Sequence, residues 1–475
     1  MDLRRACCQV GTIARQSLLQ AVRMKIAVVL VVFMLILVPS LPFLLQSDNT
    51  HEGLLRMVIT YSIYLISFLL GVLTLFLSAI TLNTEIKNQH IFLLDPKPVS
   101  RGTLLLGKWC GVMLINLMLL IAMLGATYGL MKYLGRQTKG ETQQGHDVVE
   151  WEVLSARKVV QPPLPPLDDW VKSEVKDIVA NGEVPEGKTP EWVERIVRER
   201  LSKAAWVVPP GGVMKWTVSG IPPYKKGALV IRFRHYTDAM LADPVLPGKF
   251  TVNAGEQPYS EIEDAFSVGK PHTFGVPSEE IKPNGTVEIT YENKYKPQDQ
   301  NSPPAARAEF PFEDGIQVLY PATTFGENLF LRAGLVIFIR LAFIAIVGIW
   351  ASTFLSFPVA VLLSLVVFMI GYAADFIFTG LIGQLVIFGP TLVPPWAPIN
   401  PIDNVLRNVL TYFFLMFPNF SKYDVVPELS DGMIISMWTV FYCFFWLIVV
   451  RGGILALTGW LIFKRRELAA TTAAT

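Results

Sequence analysis

The stretch LLLGKWCGVMLINLMLLIAMLGATYGLM, residues 104–131, is the clearest indication of the fold class of this chain. Lys108 is its single charged residue, and the stretch is longer than the roughly 20 apolar residues that cross the hydrocarbon core of a bilayer. In lipid, an α-helix satisfies all of its backbone polar groups within one segment. The stretch therefore predicts a transmembrane helix.

Five further stretches have the same character: residues 26–45, 57–82, 335–354, 359–378 and 433–463. The first is too long for a secretory signal and lacks a clear cleavage site. The mean hydropathy of +0.43 and the hydrophobic content of 52% agree with this pattern. We predict a polytopic α-helical membrane protein with six transmembrane helices.

Positive charges predict the orientation of these helices. Lys and Arg are frequent before the first span, between the second and third spans and after the last span, and are sparse after the first span and in the loop 391–432. Since cytoplasmic loops carry an excess of these residues, both termini are expected in the cytoplasm. The expected location is a cell membrane, with the bacterial inner membrane as the natural candidate.

The polar, proline-rich region 135–325 divides the chain into three parts, 1–134, 135–325 and 326–475. Alternating apolar residues in GALVIRFRHY and GTVEITYENKY predict strands, while DDWVKSEVKDIVA and TPEWVERIVRERLSKA predict two helices. We expect an inserted, mostly-β, sandwich-like extracytoplasmic domain. It contains no cysteine, and its histidines, His146, His235 and His272, have no metal-site spacing.

Two amphipathic segments flank the spans. IARQSLLQAVRM, residues 13–24, predicts a helix along the cytoplasmic face, although a plain extension of the first span fits equally well. Within the loop 391–432, Val405, Val409, Tyr412, Phe413 and Met416 mark an amphipathic helix, expected at the external interface.

Residues 102–108 contain G-x-x-x-x-G-K, the skeleton of a phosphate-binding loop. Trp109 occupies the position of the metal-binding hydroxyl, and a membrane span follows where a soluble helix is needed. No second acidic motif or catalytic constellation accompanies it. The chain is therefore not expected to be an enzyme or to bind a cofactor itself.

The stretch TEIKNQHIFLLDPKPVSRGTLLLGKWCG, residues 84–111, resembles the cytoplasmic loop of type-2 ATP-binding-cassette (ABC) transporter permeases. The matching positions are Glu85, Leu93, Leu94, Pro98, Ser100, Arg101, Gly107 and Lys108. WASTFLSFPVAVLLS, residues 350–364, is similar to the junction between the family's fourth and fifth helices. The large insertion departs from the compact family pattern.

The resemblance implies a permease subunit of an ATP-driven exporter, forming a homodimer or heterodimer and working with a separate ATPase subunit that binds ATP. Residues 84–103 would carry a coupling helix with the apolar residues Ile91, Phe92, Leu93 and Leu94. Lys97, Arg101 and Lys108 could then meet acidic partner groups or lipid headgroups. An ordinary basic membrane-flanking loop is the alternative for these residues. For the whole chain, the alternative is a non-transporting membrane anchor or receptor whose external domain binds a ligand or partner protein.

Arg340 and Asp375 interrupt predicted spans, and ionisable residues in lipid are candidates for function. Measured from the junction near residues 354–358, Arg340 lies roughly 21 Å and Asp375 roughly 25 Å along neighbouring antiparallel helices. We expect the two to lie close together and to face protein, either as a structural pair or along a pathway.

Overall fold

The computed structural model describes residues 3–22, 25–44, 51–87, 100–137, 154–163, 167–180, 190–204, 206–222, 228–239, 244–253, 260–277, 285–296, 306–311, 315–377, 401–415 and 417–465. The chain divides into two compact units, one formed by Met1–Val149 with Phe325–Thr475 and the other by Glu150–Thr324. We call them the membrane unit and the β unit.

The helices of the membrane unit are α1 (Leu3–Val22), α2 (Lys25–Leu44), α3 (His51–Lys87), α4 (Arg101–Gln137), α7 (Phe325–Ser352), α8 (Phe357–Phe376), α9 (Pro401–Leu415), α10 (Val426–Ser430) and α11 (Met437–Arg465). α7 contains a π-helical turn at Asn328–Ala333, and α11 contains one at Phe445–Gly452. The β unit contains α5 (Asp168–Ala180) and α6 (Pro190–Ala204).

Five helices are long and apolar enough to cross a membrane: Gly53–Ile86, Arg101–Gly135, Phe325–Ser352, Phe357–Phe376 and Met437–Arg465. They contain the second to sixth predicted spans except for a few residues at their ends. In the first predicted span, the structure has the shorter apolar helix Val31–Pro42 within α2. The chain is thus a polytopic helical membrane protein with at least five candidate spans among the described residues.

Small residues allow α3 and α7 to pack closely. A Cβ atom built at Gly348 would lie 1.9 Å from Ser78 Oγ, and Ser352 Oγ donates a hydrogen bond to the carbonyl of Ala79 at 3.3 Å. Gly348 and Ser352 are one helical turn apart on the same face. Lipid provides little hydrophobic drive for helix association, so such close backbone contacts supply much of the packing energy.

The strands of the β unit are β1 (Ser155–Val160), β2 (Val207–Val208), β3 (Val213–Val218), β4 (Ala228–Phe233), β5 (Val245–Asn253), β6 (Ser260–Ser267), β7 (His272–Pro277), β8 (Val287–Asn293), β9 (Ala308–Glu309) and β10 (Ile316–Thr324). They form two four-stranded sheets, ordered β1-β10-β4-β7 and β3-β8-β5-β6, and a two-stranded pair of β2 and β9. The pairings between these strands are antiparallel.

One hydrophobic core joins the two larger sheets. Leu229, Ile231 and Phe233 of β4 and Val287 and Ile289 of β8 are buried in it, as the alternation in the sequence predicts. The two predicted helices are also present, and they bury a separate small cluster of their own. The prediction of a mostly-β insertion with two helices is therefore confirmed in its elements.

His235 and His272, far apart in sequence, lie side by side in the β unit with ring centroids 6.2 Å apart. His235 is 1% exposed, and its Nε2 has no hydrogen-bond partner among the described residues. Burial, followed by the charge of His272, lowers the pKa of His235 from 6.5 to about 4. This imidazole is therefore neutral in the folded domain at neutral pH.

The β unit should lose stability in mild acid. Because the pKa of His235 is lower in the folded than in the unfolded state, the unfolded chain binds the proton first as the pH falls. This contribution is complete above about pH 6.5 and is lost towards pH 4, with a limit of about 3 kcal/mol. Hydrogen exchange of β4 and β7 in the full-length protein, corrected for intrinsic rates, measures the loss. His235→Leu should remove most of it, and an unchanged acid response in that variant would contradict the assignment.

Candidate functional site

The candidate site lies where α3 ends and α4 begins, on either side of the predicted coupling loop. Residues 88–99 lie outside the described residues, so the predicted positions Ile91, Phe92, Leu93, Leu94, Lys97 and Pro98 have no structural account. On one side of this gap α3 ends at Lys87, with Glu85 in its last turn, and on the other side Ser100 precedes α4.

A buried ion pair joins the two helices that carry the loop. Lys108 Nζ donates a hydrogen bond to Glu85 Oε1, with the Lys108 side chain 0% and the Glu85 side chain 6% exposed. Glu85 Oε2 has no hydrogen-bond partner among the described residues. Removing either charge would leave the other buried alone, and this is the costly way to break such a pair.

This arrangement corrects the expectation that Lys108 faces headgroups or a partner protein. The Lys108 side chain is buried in the helix bundle, and its ammonium group is hydrogen-bonded to Glu85. Farther along the same two helices, Thr74 Oγ1 donates to Asn116 Oδ1 at 3.1 Å, so a second buried polar contact joins α3 to α4. The hydrogen-bonding groups that flank the loop are used to hold helices together.

Gly107 and Gly111 form the contact between α4 and the N-terminal helix α1. A Cβ atom at Gly107 would lie 2.7 Å from Ile13 Cβ, and one at Gly111 would lie 2.6 Å from Ser17 Cβ. Glycines four residues apart present a flat surface that lets helices approach closely. α1 begins at Leu3, earlier than predicted, and packs through buried Ile13, Ala14 and Ser17, whereas Leu19 is exposed.

Arg101 connects the start of α4 to the end of α11. Its guanidinium donates to the carbonyl of Phe463 at 2.7 Å and to that of Lys464 at 3.2 Å, and lies over the Phe463 ring. The last carbonyls of a helix have no partner within the helix and carry partial negative charge, so a cation there is stabilising. The four-helix contact of α1, α3, α4 and α11 is thus built around the first three turns of α4.

The helical geometry also accounts for the phosphate-loop skeleton. Gly102 through Lys108 lie in the first two turns of α4, where Thr103 N donates to Ser100 Oγ and Leu104 N donates to Ser100 O, each at 3.1 Å. A phosphate-binding loop needs those N–H groups free to face the ligand. In this chain the skeleton is a helix-packing sequence.

Arg340 and Asp375 occupy different environments. Arg340 is 5% exposed, and its guanidinium donates to the backbone carbonyls of Phe420 and Tyr423 in the segment between α9 and α10. Asp375, by contrast, is exposed near the end of α8. The proximity of the two residues stays a prediction, but the observed role of Arg340 is to bind a loop that packs into the membrane unit.

Further polar residues surround that loop. Tyr64 donates to Asp424 Oδ2 at 2.5 Å, and Ser67 Oγ and Tyr372 Oη lie 2.8 Å apart. Arg451 is a partly buried charge within α11 that the sequence analysis did not identify. Like Arg340, it is a lone arginine in an apolar run, and that pattern could have indicated it. The tyrosine contacts carry no such signal, because tyrosine is common in membrane helices.

The described residues contain no group of three or more His, Cys, Asp or Glu side chains that could hold a metal ion. What the architecture defines is an integral membrane protein with a helical membrane unit and a β-rich insertion.

The comparison with protein families narrows this class. Residues 12–144 match the family model described as ABC-2 family transporter protein. The matched range begins within α1 and includes both candidate spans that flank residues 88–99 and those residues themselves. It confirms the resemblance to ABC-2 permeases drawn from residues 84–111. A comparison with curated proteins gives no match. Members of such permease families are membrane components of transporters and are not themselves catalytic.

Replacing Lys108 by Met should destabilise the membrane unit by about 3–5 kcal/mol, because Glu85 would remain buried without its partner. Restoring neutrality in Lys108→Met/Glu85→Gln should recover part of the loss. The partly exposed pair of Arg56 and Asp431, 2.9 Å apart, is the control, and Arg56→Met should cost about 1 kcal/mol or less. Thermal unfolding of the purified variants in one detergent measures this. Equal losses in the two single variants would contradict the assigned role.

Gly107→Ala should destabilise the contact of α1 with α4 by about 1–3 kcal/mol, since the added methyl group overlaps Ile13. Gly125 lies on the same helix with nothing within 4 Å of its Cβ position, so Gly125→Ala is the matched control. It should be neutral or stabilising by up to about 1 kcal/mol. Limited proteolysis of α1 and thermal unfolding report both effects, and a loss of the same size at both positions would refute close packing as the cause.

Proposed function

We propose that this chain is the permease subunit of an ATP-driven exporter of the ABC-2 type and couples to a separate ATPase subunit through residues 84–103. The match of residues 12–144 to the ABC-2 transporter family supports the class. The observation that carries the coupling role is the buried pair of Glu85 and Lys108, which joins the helices at both ends of the loop.

The mechanical argument follows from these contacts. If the two helices beside a loop are not bound to each other, displacement of the loop can be accommodated by local unfolding of the helix ends. Here the loop is flanked by an ion pair between α3 and α4, and α4 is packed against α1 and bound to the end of α11 through Arg101. Displacement of the loop would therefore move four helices together, as an alternating-access transporter requires.

The proposal includes a topology. In this topology the chain crosses a bacterial inner membrane six times, with α2 as the first span. Both termini and residues 84–103 are then on the cytoplasmic side, and residues 135–325 are on the external side. Contacts in the structure support this order, because Arg101 meets the end of α11 and Arg56 meets Asp431 just before α11. Each contact joins segments that the proposed topology puts on the same side.

A dimer of permeases with two ATPase subunits completes the proposed assembly, with ATP bound by the partner. The external β unit would contact cargo or another protein. The second candidate, a membrane anchor or receptor, shares the topology but has no need of an ATPase.

Replacing Ile91, Phe92, Leu93 and Leu94 together by Ser should abolish association with the ATPase, because the apolar surface for docking is removed. Val405, Val409, Tyr412 and Phe413 are exposed apolar residues of α9, which the topology places outside, and their replacement by Ser is the matched control. Co-purification with an ATPase encoded next to this chain, followed by ATP hydrolysis in vesicles, is the measurement.

The expected result is loss of both the complex and permease-stimulated hydrolysis in the first variant and retention of both in the control. If the chain recruits no ATPase, the hypothesis of a membrane anchor or receptor replaces that of a transporter subunit. Equal loss in both variants would remove the loop as the coupling element.

A further inference from the structure

An apolar groove opens on the side of the membrane unit, between α4, α7 and α11. It lies at the end where α4 begins and α7 and α11 end, and it has a volume of about 410 Å³. Its walls include Leu105, Leu106, Trp350, Ala456, Leu457 and Trp460. Leu106 and Leu457 are 58% and 57% exposed, so the groove faces outwards from the bundle.

Trp109 ends this groove. Its indole Nε1 donates to the carbonyl of Ala342 at 3.1 Å, which holds the ring across the gap between α4 and α7. A second apolar groove of about 440 Å³ begins on the other side of the same ring, lined by Phe338, Ile339 and Phe441 among others. The two grooves share only Trp109 among their described lining residues.

The first groove has a basic end. Arg101 precedes Gly102, which lines the groove, and exposed Lys464 and Arg465 follow Trp460 by about one helical turn. Lys464 Nζ lies 5.4 Å from the centre of the Trp460 ring, which brings its positive charge to the mouth of the groove. No acidic side chain is among the described residues that line it.

The groove reaches from Gly102 to Trp109 along α4, roughly 10 Å at the helical rise of about 1.5 Å per residue. That is most of the depth of one leaflet's hydrocarbon layer, about half of the 30 Å core. An acyl chain lying in it would have its headgroup at the level of the three cations.

Charge supplies the selectivity of such a site. An acyl chain gains little by leaving other lipid for the groove, because both surroundings are apolar, and only packing differs. Cations near the surface attract anionic lipid headgroups by about 1 kcal/mol each. The apolar groove alone would accept an acyl chain of any phospholipid. Its basic end makes it prefer phospholipids with anionic headgroups.

We propose that this groove binds one anionic phospholipid of the surrounding bilayer, with an acyl chain between α4, α7 and α11 and the phosphate group near Lys464 and Arg465. Trp109 is the floor of the site and limits the depth of the chain. Lipid occupancy would join α4, α7 and α11 through one ligand, independently of any ATPase.

Binding is tested on the full-length protein in detergent, supplied with phosphatidylglycerol and phosphatidylcholine of identical acyl chains. Native mass spectrometry counts the bound lipids. A phosphatidylglycerol with a photoreactive diazirine at the middle of an acyl chain reports the position, through the crosslinked peptides.

Lys464→Gln/Arg465→Gln should lower the preference for phosphatidylglycerol by at least roughly fivefold, the factor that corresponds to about 1 kcal/mol for a single cation. Lys132→Gln is the matched control, because Lys132 also lies over an aromatic ring, that of Tyr128 at 4.9 Å, towards the other end of α4. Ala456→Phe should fill the groove and reduce crosslinking severalfold, whereas Ala122→Phe, at an exposed position of α4 outside both grooves, should not.

Crosslinks at residues 102–109 and 455–460 that disappear in Ala456→Phe, with a preference lost only in the Lys464/Arg465 variant, would support the site. Equal binding of the two lipids would overturn it. So would an equal effect of Lys132→Gln, or crosslinks that persist in Ala456→Phe. Protection of the groove by a second copy of the chain, with no lipid bound, would also overturn it.

Discussion

The buried ion pair of Lys108 and Glu85 is the interaction on which the membrane unit depends most. Two opposite charges, almost fully removed from solvent, stabilise each other only while α3 and α4 keep their present separation. Any rearrangement that parts them leaves a charge in an apolar bundle. The pair therefore restricts the relative movement of α3 and α4, the two helices on either side of residues 88–99.

The turn of α4 that contains Lys108 makes contacts with several helices at once. Gly107 and Gly111 pack against α1, Lys108 binds Glu85 of α3, and Trp109 donates to the carbonyl of Ala342 in α7. Consecutive residues of a helix point in different directions, about 100° apart. A short stretch with a glycine, a cation and an indole can thus meet three neighbours with three different interactions.

The β unit is stabilised differently, because its surroundings are expected to be water. Two antiparallel sheets bury one apolar core, and the ion pairs among the described residues of this unit, such as that of Lys215 with Glu288 at 2.8 Å, are on the surface. Such exposed pairs contribute little. His235 is buried as a neutral imidazole, and its lowered pKa makes this unit sensitive to acid.

The amino-acid sequence was sufficient to predict a polytopic helical membrane protein with a β-rich insertion, and most of its elements. Long apolar runs are sufficient for membrane helices, and alternation in GALVIRFRHY is sufficient for a strand, because both signals act locally along the chain. The family resemblance also rested on a local motif, residues 84–111. Tertiary structure decided what individual side chains do. Lys108 was expected at a surface and is buried, His235 and His272 lie side by side, and Arg340 binds the carbonyls of a distant loop. These outcomes depend on which helices and strands become neighbours in the folded protein. Local patterns of charge, size and spacing do not show which segments those are, because the contacts join residues far apart in the chain.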